Sequence, residues 1–312
     1  MKIIPQSVEL YKHNINPLEF IEKVGRVCYK SEDKIAPGTA EKMVVALKKS
    51  GHYSVLEHEW LYYWMNGEMH ESFLMRFGEK CKYLNVVGTH YITGSIRAFI
   101  EFFESVDSSY SDSIDNEMMW MAHNELPMLF DKPENDAEFN GFGIKMVNRE
   151  DVINDITLSG KHKIYHIPHT LKFVTNLGIS HELVRHRPAS FAQESSRYVD
   201  YNNDKNDHQL TFITPRIHET DILNYENWHY CMLMCETMYM NLRKGGIPAE
   251  DARGVLPKDC KTEIVVTASE AEWQHILNLR YHGTTGRPHP QMKELMGMAL
   301  PILQEESNGR VE

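Results

Sequence analysis

The stretch HELVRHRPASFAQESSRY, residues 181–198, packs two histidines, three arginines, four hydroxyl-bearing side chains and two carboxylates into eighteen positions. Four chemistries compete for it: a metal site, a serine nucleophile, a nucleic-acid patch and a cradle for an anionic small molecule. A zinc-protease helix needs two histidines four apart, so that both ligands share one face. Here His181 and His186 are five apart, about 500° of helix rotation, and they diverge by ~140°. His162, His166 and His169 have better spacing, but Pro168 interrupts any helix between the last two. No metal is therefore expected. A serine nucleophile needs a sharp glycine-flanked elbow, and Ser190, Ser195 and Ser196 have no such neighbours.

The cradle reading fits the local chemistry better. Arg185 and Arg187 fall at an expected helix end, where exposed carbonyls favour cations. Arg197 adds a planar fork whose paired N–H donors match two anionic oxygens. A solvated helix end, with the arginines paired to Glu182 and Glu194, is the competing account of the same residues.

Working outward, the chain reads as helical from IPHTLKFV, with a pause at Gly178, a restart capped by Ser180 and a stop at Pro188. Asn16-Pro17 marks a helix start, and a helix is predicted over 39–50, ending at Gly51. A strand is expected from about Glu57. SIRAFIEFF forms a helix behind a Thr93/Ser95 cap, and the acidic stretch after it holds turns, at 131–136 and 140–143, and at least one more helix. DILNYENWHYCMLMCETMYMNLRKGG is the clearest helix, with Trp228, Cys231, Met232, Cys235, Met238, Tyr239 and Leu242 forming a core stripe and Gly245 at its end. A short helix opens at Pro248, KTEIVVTA is a strand, and Ser269-x-x-Glu272 caps the next helix. A last helix covers 291–304. No internal repeat is apparent. Helices mixed with few strands, without regular alternation, predict α+β: a small, mostly antiparallel sheet flanked by helices. One domain is expected over 1–312, with 66–160 as an inserted elaboration within it.

Composition narrows the function classes. The net charge is −11. Residues 101–160 hold 14 acids and 3 bases, which alone give −11, so the other 252 residues balance at 30 against 30. A nonspecific nucleic-acid binder carries a basic excess, so these arginines act locally. No apolar run reaches the ~18 residues of a membrane span, and the start lacks a signal-peptide pattern. A cytoplasmic protein is expected. The five cysteines form no CxxC pair and read as buried reduced thiols.

The pattern itself goes further. RHRPASFAQESSR closely resembles the signature of flavin-dependent thymidylate synthases: Arg185-His186-Arg187, seven residues, then Ser195. The longer family pattern is also matched at Ser190 and Arg197, and departs at Ala192, where Asn is usual, and Gln193, where Glu is usual. GHYSVLEH (51–58) resembles a second family element, with Ser54 replacing Thr. GIPAEDARGVLP, NLR and HPQMKELM resemble the C-terminal elements that carry Arg253 and Arg280.

The resemblance implies reductive methylation of dUMP to dTMP with methylenetetrahydrofolate, FAD and NADPH, in a homotetramer and without a covalent enzyme nucleophile. It implies Arg280 as the catalytic group, favouring the N3-ionised uracil. Glu182, Gln193, Glu194, Ser195, Ser196, Arg197 and Arg253 would hold dUMP with it. His52, Ser54, Glu57, Arg185, His186, Arg187, Ser269, His275 and Leu279 would contact FAD. Ser269 has an equal reading as a helix cap. The rivals are a nucleotide-binding relative that has lost flavin chemistry and a metal-dependent hydrolase using the histidines.

Overall fold

The computed structural model describes residues 1–88, 90–106, 114–133, 143–219 and 221–312. Its strands are β1 (Lys2–Ile4), β2 (Ser7–Tyr11), β3 (Trp60–Met65), β4 (Tyr91–Ser95), β5 (Ile144–Val147), β6 (Pro168–Asn176), β7 (Ser190–Gln193), β8 (Thr211–Ile213) and β9 (Lys261–Ser269). The first helices are α1 (Pro17–Tyr29), α2 (Thr39–Ser50), α3 (Gly67–Phe77), α4 (Ile96–Ser105), α5 (Ile114–Glu125) and α6 (Arg149–Asn154). Then follow α7 (Gly160–Lys163), α8 (Leu177–Leu183), α9 (Ile222–Lys244), α10 (Ala249–Ala252), α11 (Glu270–Leu277) and α12 (Pro290–Glu306).

β2, β6, β9 and β7 make, in that order, a four-stranded antiparallel sheet. β4, β3 and β5 make a three-stranded antiparallel one, and β1 pairs in parallel with β8. The expected α+β architecture is present, with its strands shared among three small sheets.

Local chemistry sets the element ends. The Asn16 side chain accepts from the Leu18 N–H at 2.9 Å and opens α1. Gly51, at φ +67°, closes α2 in the left-handed conformation that glycine adopts most easily. Ser95 and Ser269 cap α4 and α11. Residues 66–160 supply β4 and β5 to the sheet around β3. Phe73, Phe99 and Met118 of that segment pack in one core with Phe20, Val24 and Leu56. A second core lies between the β6/β9 layer and α8, α11 and α12, where Trp273 is fully buried and donates to the His169 carbonyl at 2.9 Å.

Several sequence expectations are corrected. IPHTLKFV is not helical: Pro168–Asn176 is the strand β6, hydrogen-bonded to β2 on one side and β9 on the other. Seven of its nine residues are buried, so the run shows none of the alternation that betrays a half-exposed strand. The next helix is capped by Asn176 rather than Ser180, and it ends at Leu183, before the arginines. The strand expected from Glu57 starts at Trp60, after short helical turns over Tyr53–His58. α9 forms as expected, and its stripe is core only in part: Met232 and Tyr239 are buried with Trp228 and Leu242 packed against their cluster, while Cys231 and Met238 are exposed. The left-handed residue after it is Gly246 at φ +86°, not Gly245. The turns expected at 131–136 and 140–143 fall largely outside the described residues. Among the described residues no helix is long and apolar enough to cross a membrane.

Candidate active site

The GHYSVLEH turns, the loop after α8 and the start of α11 meet at a cavity of about 650 Å³. Glu57, Arg187 and Ser269 line it, together with Lys82, Ser95 and Arg97 from the segment 66–160. That size lies within the usual range for small-molecule sites. The Glu57 carboxylate accepts from Arg97 Nη1 at 2.6 Å, and Arg97 Nε donates to Glu101 at 2.7 Å. The N-cap serines of two helices, Ser95 of α4 and Ser269 of α11, line this space. Helix N-termini favour anionic groups such as phosphates, and with Arg97 paired to Glu57 and Glu101 of the same lining, Lys82 and Arg187 are the cations left to face such a group. These residues therefore suit an anionic dinucleotide. Ser54 is half-buried, and His52 and Arg185 are exposed; these three and Leu279 are not among the cavity's lining residues.

A second cluster forms around Arg280, in the wide helical turn Asn278–His282 that follows α11. Arg280 Nη1 donates to the Glu182 carboxylate at 3.1 Å and Nη2 to the Glu182 carbonyl at 3.2 Å. Its Nε donates to Nε2 of His186 at 3.0 Å. His186 must then be an acceptor at Nε2, which leaves its proton on Nδ1. Burial, with Arg280 and His275 nearby, pushes the His186 imidazole down to about 4, so it is neutral at physiological pH. Its Nδ1 faces Glu272 Oε1 at 3.8 Å. That oxygen is buried without a hydrogen-bond partner, and burial raises the Glu272 carboxyl. His186, Glu272 and His275 could together offer a metal three ligand atoms within 4.8 Å of one another, a grouping the sequence spacing did not suggest.

The loop 193–197 is anchored from below. Gln193 donates to Ser180 Oγ at 3.0 Å and Thr262 Oγ1 at 3.1 Å. Glu194 is buried; its carboxylate accepts from Tyr201 at 3.0 Å and Lys261 at 2.8 Å. Lys261 also meets Glu263 at 2.5 Å, and Glu263 meets Lys172 at 2.7 Å and Lys30. Burial works against ionisation of Glu263, but Lys261, Lys30 and Lys172 outweigh it and hold the carboxyl far below its usual range. For Lys261 the same burial penalty is overcome by Glu194 and Glu263, and its pKa is raised. Ser195 N–H donates to the Cys28 carbonyl at 3.0 Å. Ser195 and Ser196 are half-buried, and Arg197 is exposed, pairing with Glu250 of α10 at 2.9 Å. Arg253 is exposed just beyond α10.

Of the arginines singled out from the sequence, Arg187 alone reaches the cavity; Arg197, Arg253 and Arg280 do not line it in the single chain. Arg97 and Lys261 were missed. Their signals were present: Arg97 and Glu101 have i, i+4 spacing, and Lys261 and Glu263 share one face of β9. Of the expected buried thiols, Cys81 and Cys260 are buried, Cys28 and Cys235 partly so. Burial pushes Cys28 and Cys81 up to about 11 and Cys260 up to about 12, which keeps these thiols protonated.

Fold and site thus define an α+β protein whose signature arginines stand in the loops that follow α8 and β7, beside an antiparallel sheet. The chain belongs to the family described as "Thymidylate synthase complementing protein", whose family model matches residues 109–307, more than half of its length. The resemblance carried by the Arg-His-Arg signature is borne out. A flavin-dependent thymidylate synthase of Thermococcus onnurineus (strain NA1) is 41% identical over 101 residues, 32% of this chain and 40% of that one. A probable flavin-dependent thymidylate synthase of Paramecium bursaria Chlorella virus 1 is 27% identical over 173 residues, 49% of this chain and 79% of that one. The chain spans about 40% of the length of the archaeal relatives it matches. Among solved structures, a UMP/dUMP methylase PolB from Streptomyces cacaoi bound with 5-Br dUMP aligns over 100% of this chain and 99% of that one, with TM-score 0.44 and 14% identity.

Proposed function

We propose that this chain converts dUMP to dTMP by reductive methylation, with methylenetetrahydrofolate as carbon donor, FAD as bound cofactor and NADPH as the electron source. The family and the names of its relatives support the class of reaction. The observation that carries it in this chain is the contact of Arg280 with His186 and Glu182, because it joins two motif blocks 94 residues apart in sequence. FAD, when bound, supplies the hydride. Its fit rests on the cavity between Glu57, Arg187 and Ser269, where Lys82 and Arg187 and the N-cap serines of two helices line the same space.

Uracil C5 is a weak nucleophile, and negative charge on the ring makes it a better one. Arg280 serves this by stabilising the N3-ionised pyrimidine, which lowers the pKa of that proton. Glu182 holds part of its guanidinium and must yield some of that contact to the ring. Neutral His186 keeps the guanidinium plane fixed from the Nε side. Ser195, Ser196, Arg197 and Arg253 hold the nucleotide; Gln193 and Glu194 act from beneath, as the anchors of that loop. No step here uses a cysteine.

The nucleotide set is completed across subunit boundaries in a homotetramer. Supporting this, α9 exposes Ile222, Leu223, Tyr230, Leu233, Met234 and Met238 along one helix, more apolar surface than scattered single residues account for. The test is to incubate the purified protein with dUMP, methylenetetrahydrofolate and NADPH, with and without FAD. FAD-dependent dTMP is expected from a species several times the 36.3 kDa chain mass by light scattering. Failure to form dTMP under all conditions contradicts the activity, and an active 36.3 kDa species contradicts the assembly.

A further inference from the structure

Residues 51–105, from the GHYSVLEH turns through β3 and β4 to α4, repeat the geometry of the signature unit, strand by strand. In one, Trp60 pairs with Ser95 and Tyr62 with Thr93. In the other, Pro168 pairs with Ser269 and Thr170 with Thr267, the same register. Each second strand ends in a serine that caps a helix by accepting from the N–H three residues on, Ser95 from Ala98 at 3.2 Å and Ser269 from Glu272 at 3.3 Å. The first residue of each helix donates to the residue just before the first strand: Ile96 to Glu59 at 2.8 Å, Glu270 to Ile167 at 3.0 Å. Each first strand runs into an asparagine-capped helix, with Asn66 accepting from Met69 and Asn176 from Ile179. Beyond those helices, Asn85 bridges Thr93 as Ser190 pairs with Thr267.

The two units also exchange one contact reciprocally. His58, two residues before Trp60, bonds Thr267 of the other unit at 2.7 Å; His166, two before Pro168, bonds Thr93 at 2.8 Å. A contact i to j matched by its equivalent j to i is what a two-fold relation produces. The cavity sits on that relation: both cap serines line it, as do residues 82–85 of one unit and 187–190 of the other. Because Asn85 answers to Ser190, Lys82 answers to Arg187, a cation matching a cation. Lys82 is exposed, whereas Arg97 is held by Glu57 and Glu101.

We infer that residues 51–105 are a diverged internal copy of the signature unit, and that Lys82 and Arg187, one from each copy, clamp the diphosphate of the flavin dinucleotide across the shared cavity. This rests on the flavin reading of the cavity given above. Two cationic groups at equivalent sites of one lining suit a diphosphate, whose charge is spread over two linked groups, better than a neutral ring.

The experiment measures the affinity of wild type, Lys82→Ala, Lys82→Glu and Lys82→Arg for FAD and for riboflavin, which lacks phosphate. Lys82→Glu is expected to weaken FAD binding by about tenfold or more and to leave riboflavin binding within about twofold. Lys82→Ala should lie between Lys82→Glu and wild type, and Lys82→Arg should stay near wild type. FAD binding by Lys82→Glu that equals wild type overturns the clamp, as does an equal loss of riboflavin. A wild-type protein that binds neither flavin overturns the flavin reading itself, a separate outcome. Lys82 is exposed, and thermal melts of the variants confirm that the fold is kept.

Discussion

His58 and His166 show how single side chains tie this molecule to pH. Both are buried and neutral, each bonded to a threonine. Burial, aided by His13, pushes His58 down to about 3; burial also brings His166 down to about 4, against the help of the Val87 carbonyl. In the unfolded chain an imidazole takes its proton near pH 6.5. Above that pH neither state is protonated and the effect vanishes. As pH falls from 6.5 towards 4, the unfolded state binds protons that the folded state refuses, so stability declines. At pH 5 the loss is about 2 kcal/mol for each of the two residues. Urea unfolding at pH 7.5 and pH 5 should show this decline, and equal stability at the two values contradicts the buried neutral state. The sequence made the Arg-His-Arg triplet conspicuous because its residues are adjacent. It hid the His58–Thr267 pair, whose members stand 209 positions apart.

Among the elements, β9 connects the cavity to the loop 193–197. Ser269 at its end lines the cavity, and Lys261 at its start supports Glu194 beneath the loop. Lys261→Met should remove a cation from between two buried carboxylates and destabilise the protein by roughly 3–5 kcal/mol. Urea midpoints at neutral pH measure this; a loss below about 1 kcal/mol, the range of exposed pairs, contradicts it. β9 itself was legible as KTEIVVTA because β-branched residues dominate it. β6 was not, because a strand buried on both faces lacks alternation, and its leading proline and glycine-containing continuation look equally like helix punctuation. α9 was legible as a helix but not as a surface, since periodicity reports an apolar face without saying whether the same chain covers it.

At the scale of the whole molecule, the site draws on two separated motif blocks and on the inferred internal copy, which shows as no apparent repeat in the sequence. The copies keep register, caps and the histidine–threonine exchange, but their side chains have diverged: Trp60 stands where the other unit has Pro168, and Lys82 where it has Arg187. Backbone pairing tolerates such changes, which leave little identity between the two stretches of sequence. The central claim is that the charge of Arg280, fixed by His186, makes the pyrimidine reactive without being needed to hold the flavin. The direct measurement is dTMP formation by flavin-loaded Arg280→Ala, with the flavin absorbance recorded on the same sample. The expected result is a retained flavin spectrum with turnover reduced roughly 100-fold or more; wild-type turnover, or loss of the flavin along with the activity, contradicts it.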